Sequence, residues 1–203
     1  MADANKYTTI AAHGESLFRD RGSKFLAFAY PVANADDIKQ RLQALRKLHP
    51  KANHHVYAWR LGNDGNNYRA VDDGEPAGSS GRPVLGQIDS SALTNILIVV
   101  VRYFGGTLLG VPGLINAYKN AAAMALQGLP RQEKWIEERF RFSFDYPSMG
   151  EVLHILKGAE ATIYRQDLQL FCIVEAGIPK PVAAATVTRL SELRGLTVEG
   201  MGN

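Results

Sequence analysis

The run from Asn95 to Tyr103 constrains the fold of this chain more than any other segment. It is rich in β-branched residues and too apolar to face water on either side. Such a run is typical of a central strand that is covered on both faces. We therefore expect a sheet with helices packed against it, within a chain whose 203 residues allow one large domain or two small ones.

The patterns before this run indicate an α+β protein. They predict strands at 24–32, 55–61 and 68–71, and a helix that has Asn34 as its N-cap and an apolar stripe ending at Leu48.

A glycine and a proline end the next long helix near residue 130, and we place a domain boundary there. Beyond it, the order strand-helix-strand-strand-helix-strand predicts a ferredoxin-like βαββαβ plait, with a short turn at Gln166 and Asp167 between its middle strands. The predicted domains are residues 1–131 and 132–203. The segment 168–174 is apolar on both faces, so we expect the other domain or a protein partner to cover the outer face of the C-terminal sheet.

Two glycine-rich loops, 72–82 and 105–113, are the informative features for function. Each follows a predicted strand and precedes a predicted helix, so each is expected to point free backbone N–H groups at an anion such as phosphate. The alternative is that the glycines serve only tight backbone packing. The candidate anion-binding or nucleic-acid-binding residues are Arg60, Asp73, Glu75, Gly78, Ser79, Gly81, Arg82, Arg102, Gly105, Gly106, Gly110, Gly113, Lys119 and His54.

Standard nucleotide-binding motifs are absent from the sequence. The spacing of Gly105 and Gly110 resembles a P-loop, but Val111 and Pro112 stand where that motif requires Lys and Ser or Thr. There is no Gly-x-Gly-x-x-Gly fingerprint either, so Walker ATPases and Rossmann dehydrogenases are excluded. We predict no cofactor.

An enzymatic alternative rests on the acidic residues of the first loop. Asp73 and Glu75, with His54 or His55, are candidates for acid–base chemistry on a phosphorylated small molecule, as in a hydrolase or transferase. Together with Asp72 they also resemble a metal cluster, but adjacent strand residues point to opposite faces, and no zinc ligand spacing is present. We favour a protein that is not an enzyme, with no catalytic residue and no metal site.

Charge and hydropathy narrow the range of partners. Lys plus Arg is 23 and Asp plus Glu is 20, which gives a net charge of +3. Any contact with nucleic acid must therefore come from a local patch. No signal peptide is visible, and the longest apolar run is far shorter than the ~20 residues of a membrane span. We expect a cytoplasmic protein with no membrane partner.

Four blocks of sequence resemble the IMPACT family, and within it the bacterial YigZ branch. They are Ala52–Arg60, Asp72–Leu85, Val101–Gly106, and Leu109–Leu114 followed by Ala117 and Tyr118. The resemblance covers the whole chain. It implies an N-terminal domain similar to the second domain of ribosomal protein S5, and a C-terminal plait similar to the last domain of translocase-type elongation factors.

The resemblance also points to a field of action. The eukaryotic members of the family regulate translation initiation through protein binding. We therefore expect a translation-associated regulatory protein that binds RNA or the ribosome through its glycine-rich loops. The enzyme described above, and a protein-binding regulator without a ligand, remain the alternatives.

Overall fold

The computed structural model describes residues 4–202 and shows an α+β chain, which confirms the predicted fold class. The chain forms two compact units. One is Tyr7–Lys134, and the other holds residues 4–6 and 135–202 of the described chain. None of the helices within residues 4–202 has the length and apolar character needed to cross a bilayer.

The N-terminal unit is built on one five-stranded sheet. Its elements are β1 (Lys6–Ile10), β2 (Gly14–Asp20), β3 (Ser23–Pro31), α1 (Ala35–Leu48), β4 (His54–Leu61), β5 (Asn67–Val71), α2 (Gly81–Ser90), β6 (Ile96–Tyr103), α3 (Gly110–Leu126) and β7 (Arg131–Trp135). The sheet order is β2-β3-β6-β4-β5, and β1 pairs with β7 in a separate two-stranded sheet.

The predicted central strand is confirmed. β6 lies in the middle of the sheet, and its residues are buried up to Arg102. Its even-numbered residues face a core that includes residues of α2 and α3, and its odd-numbered residues face a second core on the side of α1. An apolar side chain at every position from Ile96 to Val101 is therefore required by packing on both faces.

Asn34 caps α1 as predicted, because its side-chain oxygen accepts a hydrogen bond of 2.9 Å from the N–H of Asp37. Ile38 and Leu45 on this helix are buried. The prediction that Leu48 belongs to the buried stripe is wrong, since this side chain, in the last residue of the helix, is 68% exposed.

The C-terminal unit has the predicted order of elements. It contains β8 (Glu137–Asp145), α4 (Met149–Gly158), β9 (Thr162–Leu168), β10 (Phe171–Pro179), α5 (Lys180–Ser191) and β11 (Thr197–Met201). They form an antiparallel sheet of order β11-β8-β10-β9. Phe142 and Phe144 on β8 lie in a core with residues of both helices.

One expectation for this unit is wrong, and one stays a prediction. β9 runs through Gln166 and Asp167, so the turn lies at 169–170 instead, where Leu170 is exposed. The residue types along 168–174 did not indicate that the turn between β9 and β10 lies at residues 169 and 170. On the outer face of the sheet, Phe171 is exposed, and Arg141 on β8 forms an ion pair of 2.9 Å with Glu175 on β10. That the other domain or a protein partner covers this face stays a prediction.

A contact between two glycine backbones joins the β2–β3 turn to the loop that follows β6. A Cβ atom on Gly105 would overlap the backbone of Gly22 and Ser23, and Gly22 has a φ of 81° that favours glycine. The N–H of Gly105 also donates to Ser23 Oγ at 3.1 Å. The start of the second glycine-rich loop is therefore fixed by backbone packing.

We expect Gly105→Ala to lower the free energy of unfolding of the N-terminal unit by about 2 to 4 kcal/mol, because two backbone segments must separate to admit the methyl group. Urea unfolding followed by circular dichroism measures the change. Gly86→Ala is the matched control: its site in α2 is exposed with open space around it, and alanine there should stabilise by about 0.5 to 1 kcal/mol. Equal stabilities for the two variants would contradict the prediction.

Candidate nucleic-acid interface at the loop end of the sheet

Both glycine-rich loops lie at the same end of the N-terminal sheet. β5 and β6 run in the same direction because each is antiparallel to β4, which lies between them, so the two loops leave from the same end of the sheet on either side of β4. The start of β3 is at this end too, since Lys24 pairs with Tyr103. We call this edge of the sheet the loop end. It comprises residues 20–24, 51–54, 72–82 and 104–113.

The first loop closes around the carboxylate of Asp72. Its oxygens accept hydrogen bonds from the N–H groups of Gly78, Ser80 and Gly81 at 2.8 to 3.2 Å, and from the Ser80 hydroxyl at 2.7 Å. The anion at the N-terminus of α2 is therefore a side chain of this protein. The prediction that these N–H groups point outward to a bound anion is wrong.

These contacts also set the ionisation of Asp72. Burial by itself raises the pKa of the carboxyl, but the hydrogen bonds from the Ser80 hydroxyl and the three N–H groups outweigh it and hold the pKa below its ordinary value. Ser79 next to them is fully buried, and its hydroxyl donates to the carbonyl of Pro76. Ser79 is therefore closed to a ligand.

Asp73 holds the loop against the start of β4. One carboxylate oxygen accepts the N–H of His55 at 2.7 Å, and the other lies 3.4 Å from the Arg46 guanidinium. Its own carbonyl contacts His54 Nδ1 at 2.9 Å. Asp73 has a φ of 45°, and the hydrogen bonds on both sides of its backbone stabilise this left-handed conformation. Burial lowers the pKa of His55, so its imidazole is neutral near pH 7.

Glu75 is the anion that joins the two loops. Its carboxylate is buried and its Oε1 accepts from Arg102 Nη1 at 2.6 Å and from the Tyr118 hydroxyl at 2.7 Å. Arg102 lies near the end of β6, and Tyr118 is a fully buried residue of α3. Burial and the neighbouring Glu75 raise the pKa of Tyr118, so its hydroxyl stays protonated and donates.

Arg102 is therefore not available to an external anion. The prediction that this residue binds such an anion is wrong. Its guanidinium is paired with Glu75 and packs between two rings, 5.3 Å from the centroid of Phe25 and 5.7 Å from that of Phe104. The residue is only 5% exposed. The positive charge of Arg102 is balanced by Glu75 inside the fold.

Glu75 and His54 are the nearest arrangement to the predicted acid–base pair. His54 Nε2 lies 3.7 Å from Glu75 Oε1, which is longer than a hydrogen bond. That oxygen already accepts hydrogen bonds from Arg102 and Tyr118. Asp72, Asp73 and Glu75 point to different partners, so they do not converge on a metal, and no metal cluster is found among the described residues.

Two predicted cations lie away from the loop end. Arg60 pairs with Ile96 at the opposite end of the sheet, and its guanidinium contacts Asp89 at 2.6 Å. The expectation that it supplies charge to the loops is wrong, because the strand register separates them. Lys119 is exposed but lies nine residues beyond Gly110, about 13 Å along α3.

The second loop is open to solvent along most of its length. Phe104, Gly106 and Gly110 are exposed, while Gly113 is half-buried in the first turn of α3. Gly106 and Gly110 have φ values of 86° and 72°, which explains glycine at both positions. The N-cap residue of α3, Leu109, provides no side-chain hydrogen bond to the helix.

Four exposed cations belong to the loop end or directly adjoin its segments. They are Arg21, Lys24, Lys51 and the predicted Arg82, and none of their side chains has a hydrogen bond or ion pair within residues 4–202. Asp20 is the half-buried carboxylate nearest to them in sequence. The first three cations were missed from the sequence because they come from two separate segments, the β2–β3 turn and the loop before β4, which only strand pairing brings together.

Comparisons with known proteins agree with this architecture. A family model described as the Impact N-terminal domain matches residues 21–126. The chain is 31% identical over 172 residues to IMPACT family member YigZ of Escherichia coli K12, which covers 84% of both chains. It is 42% identical over 137 residues to an IMPACT family member of Thermus thermophilus, covering 66% of this chain and 72% of that one.

A solved structure supports the fold over the whole chain. The crystal structure of a hypothetical protein superposes with a TM-score of 0.76 at 28% sequence identity, and the match covers 98% of each chain.

We expect Glu75→Gln to lower the free energy of unfolding by about 3 kcal/mol, because the buried Arg102 charge is left uncompensated. Asp89→Asn is the control, since it removes the partner of Arg60 at an exposed pair and should cost less than about 1 kcal/mol. Urea titrations of both variants measure the difference. Similar losses of unfolding free energy in the two variants would mean that the Glu75–Arg102 pair does not stabilise the fold more than the Asp89–Arg60 pair.

The pKa of Asp72 generates a prediction of acid sensitivity. Its folded-state pKa lies below the unfolded value near ~3.9, so the ionised carboxylate stabilises the fold above about pH 4, and this contribution is lost as the pH falls through the folded-state value. We expect Asp72→Asn to cost about 1 to 2 kcal/mol at neutral pH. The cost should shrink as the pH is lowered towards 2, which urea unfolding at several pH values measures. A cost that is independent of pH would contradict the assignment.

Proposed function

The chain belongs to the IMPACT family, which the family model and the relatives at 84% coverage establish, and on that premise we propose that it is a translation-associated regulatory protein that binds RNA or the ribosome. We propose further that the loop end is the binding surface. Contacts with phosphate come from side-chain cations and from the open second loop, not from the N-terminus of α2.

The distribution of charge at the loop end is the observation that carries this proposal. Asp72 and Glu75 are held by groups of the protein, and Asp73 lies against Arg46. Arg21, Lys24, Lys51 and Arg82 are exposed and unpaired within the described residues. A surface that turns its cations outward and its carboxylates inward attracts a polyanion, even when the whole chain is nearly neutral.

The family supports translation as the field of action. The resemblance implies that the eukaryotic members regulate translation initiation, and it relates both domains to components of the translation apparatus. Ribosomal RNA and the RNAs bound to it are the polyanions present there. Fold and family raise this expectation, while the site supplies the chemistry.

We expect salt-sensitive binding to ribosomes and to structured RNA, and a loss of binding in the double variant Arg21→Ala/Arg82→Ala. Each cation that neutralises a phosphate contributes about one unit to the slope of log affinity against log salt, so the slope should become shallower by about two. Co-sedimentation and fluorescence anisotropy from about 50 to 400 mM salt measure both quantities.

The matched control is Lys39→Ala/Lys157→Ala. It removes the same charge from two exposed, unpaired lysines, one in α1 and one in α4 of the C-terminal unit. Lys39 is at the far end of α1 from Arg46, which contacts the loop end. An equal loss in the control would mean that net charge alone drives binding, and no binding at the lowest salt would refute the proposal.

A further inference from the structure

We infer that Phe104 is a stacking platform for an unpaired base, and that the loop end therefore selects single-stranded over duplex RNA. This inference rests on the proposed function, because it names the class of RNA that the same surface binds. Base–aromatic stacking is sequence-tolerant, since every base has a π-face.

The phenyl ring of Phe104 is held in position although it is 45% exposed. The backbone N–H of Phe104 donates to Asn53 Oδ1 at 2.8 Å, and the Arg102 guanidinium lies over the ring at 5.7 Å from its centroid. Arg102 is itself fixed by Glu75. The buried guanidinium of Arg102 thus lies over one face of the Phe104 ring, and the solvent-exposed surface lies on the rest of the ring.

The residues that follow Phe104 leave room for a base. Gly105 and Gly106 have no side chains, and even a Cβ atom on Gly106 would meet nothing within 4 Å. Thr107 and Leu108 beyond them are exposed. An exposed phenylalanine after a strand end, with no bulky neighbour for two residues, is accessible to a flat ligand.

Two exposed lysines come from segments that neighbour Phe104 in the fold. Lys24 pairs in the sheet with Tyr103, the residue before Phe104. Lys51 is two residues from Asn53, whose side chain binds the Phe104 backbone. A nucleotide stacked on Phe104 would therefore have cations close to its backbone, which is the combination found in proteins that bind single strands.

Duplex RNA cannot use such a platform. Its bases are stacked on each other, and its deep, narrow major groove excludes side chains. The cations of the loop end bind the phosphates of either form, so the ring is the group that distinguishes them.

The test compares Phe104→Leu with the unaltered protein on two probes. One is a single-stranded oligoribonucleotide of about ten residues that contains the fluorescent base 2-aminopurine, and the other is a blunt duplex of the same length. Leucine keeps the apolar bulk and removes the π-face. Tyr68→Leu is the matched control, because Tyr68 is also an exposed ring (53%) beside an arginine, with Arg60 5.1 Å from its centroid, but lies at the opposite end of the sheet. Phe104→Trp tests for rescue.

Phe104→Leu should weaken binding of the single strand by about 5- to 100-fold and leave duplex binding unchanged. The quenching of 2-aminopurine seen with the unaltered protein should be lost in this variant and kept in Phe104→Trp and Tyr68→Leu. Equal, salt-sensitive binding by Phe104→Leu and Tyr68→Leu on both probes would overturn the stacking site and leave the proposed function standing. No binding of either short probe by the unaltered protein at low salt would overturn the stacking site, and the proposed function falls with it only when ribosomes and structured RNA are not bound either. Thermal unfolding of each variant shows that the fold is retained.

Discussion

The buried contact of Glu75 with Arg102 and Tyr118 is the interaction on which the loop end depends. It ties the first loop to the central strand and to α3 through one carboxylate oxygen. Removing two charges from water is unfavourable, and the pair is tolerated because further hydrogen bonds and aromatic rings surround it. The guanidinium reaches Ser23 at 3.4 Å as well, so the β2–β3 turn belongs to the same network. Three separate turns are thereby held at one end of the sheet.

Asp72 has a related role within the first loop. Helix N-termini attract anions because their N–H groups have no partner inside the helix. Here the anion is supplied from the end of β5, and Gly81 approaches the backbone of Val71 so closely that no side chain fits. The two glycine-rich loops therefore differ: the first is a closed structural turn, and the second is open to solvent. The glycines explain both outcomes, since they allow either tight packing or free access.

Sequence patterns predict the elements of this fold better than the contacts of its site. The burial of β6, the cap at Asn34 and the strand–loop–helix units follow from local patterns, which local physics determines. β1 and β2 were not predicted, because they are short or carry polar residues on one face. The pairing of Glu75 with Arg102 joins residues 27 positions apart, and the position of Arg60 depends on strand register. No local pattern encodes either of them, so the predicted cations Arg60 and Arg102 were assigned to an anion that they do not face.

The burial of Arg102 also decides how charge is divided at the loop end. An arginine exposed at this position would add to the positive surface, whereas the buried one neutralises Glu75 and supports the ring of Phe104. Asp72 likewise accepts hydrogen bonds from backbone N–H groups, so its carboxylate is turned into the first loop and not towards solvent. The adjacent aspartates of the first loop make the loop end look acidic in the sequence. In the fold, the exposed charged side chains there are the cations Arg21, Lys24, Lys51 and Arg82. A net charge of +3 is therefore compatible with a locally basic end, because the fold, not the composition, determines which charges face solvent.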